Sequence, residues 1–442
     1  MKLIKSLLLG SAAGLAAVAG AQAADLPVAK AAAVEYVRVC SAYGAGFFYI
    51  PGTETCLRIG GRVRADYLYG EPLTRAEDAI GFRARGRIQA DARTQTAYGT
   101  LRALVRFEIT RSSGSPFGNT GVVGASGANV AQAFIQFGGL TAGRVTSFFS
   151  NGDLPTGHMG TLRFDDAPDV DLLAYTFSFG NGFSATISLE DGLERRSGIR
   201  SAVAVDPVTG VITSAAVPYA GQRVPDLVGN VKYTAAWGTA QISGAVHQIR
   251  SVVLGTTNVV TGSPLVGTIP DNEYGFAIAG YLGVNLPMLG AGDALWLAAT
   301  YADGAPAYLN GGIAGTVITP FAAFDQFGGG NFADATVDPV TGDLDKTRAW
   351  SIAGGLRHYW TPQIRSNLFA SYLDSDGRAG FNAGDFREFR VGANVFWQPV
   401  SGLDIGVEVI YANVDERNNG VVLFNDNDSN GFEGRLRIQR DF

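Results

Sequence analysis

Three successive segments near the start of the chain carry a charge at alternate positions with an apolar side chain between. Residues 57–69 set Arg58, Arg62, Arg64 and Asp66 against Leu57, Ile59, Val63 and Tyr67. Residues 79–92 set Arg83, Arg85 and Arg87 against Phe82, Ala84 and Ile88, and residues 98–112 set Arg102, Arg106 and Glu108 against Leu101, Val105, Phe107 and Ile109. A period of two belongs to a strand, whose successive side chains point to opposite faces. One face of this sheet must meet water and the other an apolar phase. If that phase is hydrocarbon, each outward guanidinium at mid-membrane would cost about 2–4 kcal/mol, so the arginines are expected to face an aqueous lumen. The competing reading makes them solvated strand ends, although several sit mid-strand between apolar neighbours.

Both ends of the chain point to a compartment. Residues 431–442 alternate Phe432, Leu436 and Ile438 with Glu433, Arg435 and Arg437, and the strand closes on Phe442. A terminal aromatic in this position resembles the signal by which barrel-assembly machinery recognises outer-membrane β-barrels. At the other end, Lys2 and Lys5 precede an apolar stretch and a small-residue site, Ala21-Gln22-Ala23, so residues 1–23 read as a signal peptide with the mature chain starting at Ala24. The alternative, a helical inner-membrane anchor, finds no companion helix. The uncharged run 274–292 contains Asn285 and Pro287, and its bulky residues fall on alternate positions, as in a strand.

With 442 residues, 59 glycines and 17% charged residues, the chain is too long for a small disulfide scaffold and too apolar for disorder. Its formal net charge of −6 argues against a nucleic-acid partner. Two cysteines, Cys40 and Cys56, favour a disulfide in an exported chain; a metal site would need more ligands, and no histidine lies nearby.

Sixteen period-two segments can be read between residues 57 and 442. Short links (138–140, 181, 238, 361–362, 399–402) alternate with long ones (151–171, 191–225, 305–346). These features predict an all-β fold, a 16-stranded antiparallel transmembrane β-barrel with both ends on the periplasmic side, short periplasmic turns and long extracellular loops. It occupies residues 57–442, and residues 24–56 form a periplasmic N-terminal segment. The barrel must close, because an open edge in hydrocarbon leaves backbone groups unpaired, and sixteen strands enclose water. Aromatics near strand ends (Tyr67, Tyr69, Trp237, Trp350, Trp360, Tyr372, Trp397) suit interfacial girdles. Closure is expected to set Arg435 and Arg437 beside Arg62 and Arg64 in one continuous basic wall. The link 151–171 carries Asp153, Asp165, Asp166, Asp169 and Asp171 against one Arg163. Folded inward, it would narrow the pore and set a transverse field against the arginines; otherwise it is a surface loop with solvated acids. Because a basic wall and an acidic loop oppose each other, the preferred ion sign stays open.

The run Val34-Glu35-Tyr36-Val37-Arg38-Val39-Cys40 and the run Gly46-Phe47-Phe48-Tyr49-Ile50-Pro51-Gly52-Thr53-Glu54-Thr55-Cys56-Leu57-Arg58-Ile59-Gly60-Gly61 closely resemble the alphaproteobacterial general porins of the Brucella and rhizobial type. Asn181-Gly182-Phe183-Ser184-Ala185 and the ending Arg437-Ile438-Gln439-Arg440-Asp441-Phe442 extend the likeness along the chain. The resemblance implies a homotrimer in outer-membrane lipid and lipopolysaccharide, whose third long loop folds into the lumen. It also implies passive diffusion of small hydrophilic solutes and ions, without energy coupling, cofactor or metal, and strengthens the role of Asp153, Asp165, Asp166 and Asp169 at the constriction.

Other signals carry less. Residues 426–431 open like an EF-hand loop, but its twelfth position is Arg437 where a bidentate Glu is needed. The pentapeptide Asp-Pro-Val-Thr-Gly occurs at 206–210 and 338–342, and its Pro and Gly suit small hairpins projecting outward. His158, His247 and His358 lie far apart, and no catalytic motif is present. A reading of another class is a surface adhesin or receptor acting through 191–225 and 305–346. A sugar-specific channel would call for a run of aromatics along the pore wall, where arginines stand instead.

Overall fold

The computed structural model describes residues 38–72, 75–205, 212–252, 271–309, 333–337, 343–377, 385–416 and 428–442. The leader 1–23, both pentapeptides and the start of the EF-hand-like run fall outside them. Sixteen antiparallel strands form the barrel. They are β1 (Cys56–Gly70), β2 (Ile80–Thr96), β3 (Gly99–Gly114), β4 (Asn129–Phe137), β5 (Leu140–Thr146), β6 (Asp169–Gly180), β7 (Phe183–Glu190) and β8 (Asp226–Ala235). They continue as β9 (Gly238–Arg250), β10 (Asn272–Asn285), β11 (Ala294–Asp303), β12 (Arg348–Thr361), β13 (Ile364–Asp376), β14 (Phe386–Val400), β15 (Leu403–Glu416) and β16 (Asp428–Asp441). β16 pairs back onto β1, which removes the sheet edge.

Parity along the strands sorts the side chains as the alternation requires. Ile59, Val63, Ile88, Ile109, Ile242 and Leu368 stand exposed on the outer face, where hydrocarbon would cover them. The positions between them turn inward. The seam departs from expectation in register: Arg62 lies opposite Asp441, Arg64 opposite Gln439, Asp66 opposite Arg437 and Leu68 opposite Arg435. Arg437 therefore stands diagonal to Arg64 and bonds Asp66, Arg435 lies opposite Leu68, and Asp441 and Asp66 interrupt what was expected as one continuous basic wall. Backbone pairing with Phe442 explains the offset. Gly61 donates to the carbonyl of Phe442 at 2.9 Å and accepts from its N–H at 3.1 Å. A Cβ on Gly61 would stand 2.5 Å from the Phe442 ring, so only glycine seats the terminal aromatic there.

Strand β5 ends at Thr146 and β6 begins at Asp169, so the intervening loop, L3, is 147–168 and Asp169 and Asp171 belong to a strand. Cys40 and Cys56 form a disulfide with Cα atoms 6.0 Å apart, burying Phe47 beside it at the short-turn rim. At the opposite rim, hairpin strands Ile199–Val205 with Ile212–Val217, and Ala335–Val337 with Leu344–Lys346, flank the two pentapeptides. The hairpins join through parallel pairing of Ile199–Ser201 with Ala335–Val337 into one four-stranded sheet, which packs on Ile249.

Candidate functional site

L3 enters the lumen because the inner wall opposite its root has been emptied of bulk. The inward positions of β9–β13 include Ala245, Ala277, Ala279, Ala298, Ala302, Ala349 and Ala353, with Ser351 and Ser371 between. Into this shallow wall pack Phe149, Leu162 and Phe164, which with Trp296, Tyr308 and Phe369 form a hydrophobic core inside the barrel. Burial of those rings supplies the drive, and polar contacts fix the path. At the root, Glu190 accepts from Ser147 Oγ at 2.7 Å and from Phe148 N–H at 3.0 Å. Gln241 donates to the carbonyls of Phe149 and Ser150, and Asn151 donates to Thr239 Oγ1 at 3.1 Å.

The tip crosses to the far strands. Glu408 of β15 accepts from the N–H groups of Met159 and Gly160, both at 2.7 Å, while Arg435 donates to the Met159 carbonyl at 2.8 Å. Arg390 donates to the Thr161 carbonyl, and Arg163 reaches Glu388 at 2.9 Å with both side chains fully buried. Arg390 bonds the same carboxylate, so one anion sits between two guanidiniums. Close approach demands glycine at the tip: a Cβ on Gly157 would meet Asn367 at 2.1 Å, and one on Gly160 would meet Ile410 at 2.6 Å.

The acids expected at the constriction divide by environment. Asp165 is buried against Arg195, at 2.7 and 3.2 Å, and also accepts from Ser150, so it pins the returning limb of L3 and presents no charge to water. Burial works against the Arg195 cation, but the charge and hydrogen bonds of Asp165 outweigh it and hold the guanidinium charged. Asp169 lies in β6 and accepts from Gln132 and Thr146. Asp153 and Asp166 keep open faces; Lys232 pairs with the first at 2.5 Å and His158 with the second at 3.0 Å. Burial would lower the His158 pKa, yet the charge and hydrogen bond of Asp166, with help from Glu408, raise it above 6.5 against the opposing push of Arg437.

Across the lumen from the shallow wall stand the arginines. β1, β2 and β3 pair so that Arg62 faces Arg87 and then Glu108, Arg64 faces Arg85 and then Thr110, and Asp66 faces Arg83. Asp66 binds Arg83 at 2.7 Å and Arg437 at 2.6 Å, Arg62 binds Asp441 at 2.5 Å, and Arg87 binds Glu108. Nearer the short-turn rim Asp91 holds both Arg93 and Arg102. Arg106 donates to Gln89 at 3.0 Å. Glu388, Glu408, Arg195, Arg357 and Arg365 were not singled out from the sequence; charged residues at inward positions of apolar strands were the available signal for four of them, and Arg195 had none. Among the described residues, Asp171, Asp191 and Glu194 converge closely enough to suggest a cation, but Arg144 already reaches Glu194 at 2.5 Å and Asp171 at 3.6 Å.

This geometry, a closed barrel with an inward third loop facing arginines, agrees with the comparisons. Residues 25–434 match the porin subfamily. The chain belongs to the porin family. Porin Omp2b of Brucella canis is 32% identical over 449 residues, covering 99% of each chain, and Porin Omp2b of Brucella suis is 33% identical over 452 residues. The outer membrane channel DcaP of Acinetobacter baumannii shares the fold, with a TM-score of 0.61 over 89% of this chain and 99% of that one, at 16% identity. The protein is thus an outer-membrane porin, an integral β-barrel whose lumen is a channel, and a surface-adhesin reading is not favoured.

Proposed function

We propose that small hydrophilic solutes and ions diffuse passively through an eyelet between the free edge of L3 and the wall bearing Arg62, Arg64, Arg83, Arg85, Arg87, Arg102 and Arg106, continued across the seam by Arg437 and by Arg435, which also holds the L3 tip. The observation that carries this reading is the loop itself, held across the lumen from Glu190 to Glu408, which leaves the aqueous path beside the arginines. No step requires catalysis or energy coupling. Fixed charges act within about 8 Å at physiological salt, so discrimination is confined to the narrow zone. Residues 1–23 serve as the export leader, residues 24–56 lie on the periplasmic side, Phe442 serves in membrane insertion, and the working unit is a homotrimer.

Planar-bilayer recording of the purified assembly tests the proposal. Stepwise conductance is expected, and the reversal potential in a salt gradient should shift in Arg85→Ala and in Asp166→Ala. Selectivity unmoved by both substitutions would remove these residues from the eyelet.

A further inference from the structure

The opposition between a basic wall and an acidic loop resolves once partners are assigned. Asp165 is buried against Arg195, Asp166 is paired with His158, Asp153 with Lys232, and Asp169 is bound by Gln132 and Thr146. The three acids of L3 itself therefore each have a basic partner, whereas Asp169 in β6 is bonded to neutral groups and keeps its charge. The arginine wall is not balanced in the same way. Arg64 stands directly opposite Arg85 in the β1–β2 register, a like-charge pairing that is unfavourable on a sheet. Its recorded partner is the neutral Gln439 Oε1 at 2.9 Å, and it has no ion pair among the described residues. Arg85 donates to Thr110 at 3.0 Å and comes no nearer than 3.8 Å to Glu108.

Arg64 opens onto a concavity of about 410 Å³ beneath the L3 tip, roofed by His158 and Met159. Arg62 and Arg437 flank it on one side, and Arg357 and Arg365 line it from β12 and β13. The one carboxylate in the lining, Asp404, is bound by Arg365 at 2.9 and 3.2 Å. Arg357 donates to the Gly292 carbonyl at 3.1 Å and, like Arg64, has no ion pair among the described residues. Two guanidiniums without an ion pair among the described residues thus share one water-accessible space, while Arg62, Arg365 and Arg437 beside them are each paired with a carboxylate. Local conflicts of this kind mark functional sites, because a ligand relieves them.

We propose that this concavity is a binding subsite for small oxyanions carrying two negative charges, held by Arg64 and Arg357, and that it gives the channel a preference for anions. The inference rests on the channel reading above. A guanidinium accepts carboxylate and phosphate oxygens bidentately, and two such groups favour a dianion over a monoanion. Weak, single-site occupancy in a wide lumen slows passage of other anions without sealing the pore, the balance that permeation requires.

The test uses the purified full-length porin in planar bilayers with potassium chloride, adding inorganic phosphate at pH 8, succinate or acetate at constant ionic strength. Phosphate or succinate at millimolar concentration should reduce chloride current at least about twofold, and acetate should not. The phosphate and succinate arms separate a compact ligand from an extended one that touches both arginines. Arg64→Gln and Arg357→Gln should each weaken block by about tenfold and reduce anion preference, whereas Arg348→Gln, on the outer face, should leave block unchanged. Both lumen substitutions remove a cation whose hydrogen-bond partner is neutral, so neither strands a buried acid. A conducting channel indifferent to both dianions, or one still blocked in both variants, overturns the subsite alone. Absence of conductance overturns the channel reading together with it.

Discussion

The two sides of the lumen are built from opposite materials. The inward face of β9–β13 is largely alanine, serine and glycine, and it has become the floor on which a loop is laid. The inward face of β1–β3 is rich in arginine, and what packs on it lies toward its two ends, where Phe47 meets Arg58 and Arg93 and Phe117 meets Arg83. Small side chains create room that a hydrophobic loop fills, whereas long charged side chains keep their own space wet, because burying them without partners is too costly. Aperture is therefore set by volume on one wall and by charge on the other.

The largest test of this division removes the buried anchor. In Glu388→Ala the cations of Arg163 and Arg390 lose the carboxylate they share, which should cost about 3–5 kcal/mol. Urea unfolding in detergent should show the loss, L3 should become open to protease, and unit conductance should rise. The corresponding loss on the other wall, Arg85→Ala, should move selectivity with little change in stability, since that side chain is 30% exposed and only loosely paired.

Filling the shallow wall should do the reverse. Ala298→Leu inserts bulk beneath L3, an overpacking that costs about 1–3 kcal/mol. The loop should be pushed toward the arginines, so single-channel conductance is expected to fall while ion preference strengthens.

The smallest effect concerns His158. Its pKa in the folded chain is raised, so its ion pair with Asp166 contributes fully below the unfolded value of 6.5 and is lost as pH climbs through the folded value. Protease cleavage of L3 should accelerate on the alkaline side of that range, and Asp166→Asn should flatten the dependence. A cleavage rate constant from pH 6 to 9 would remove His158 as a loop fastener.

Strand positions and the inward parity of the arginines were legible because a period of two is a local property. Register at the seam was not, since the meeting of Arg62 with Asp441 depends on backbone pairing between opposite ends of the chain. The loop acids illustrate the same divide. Composition revealed that 151–171 was acidic, yet whether Asp165 faced water or Arg195 depended on where a later loop returned. The alanines at inward positions of β9–β13 were visible as an oddity, a polar-lined lumen with a non-polar, low-volume side, and could have indicated where the loop comes to rest.

L3 also has a mechanical meaning. A hollow cylinder of hydrogen-bonded strands is stiff along its axis and comparatively easy to flatten. A tie running from Glu190 of β7 to Glu408 of β15 joins points far apart on the hoop and opposes that flattening. Such a tie should make the bore less sensitive to lateral squeezing by the bilayer without a thicker wall.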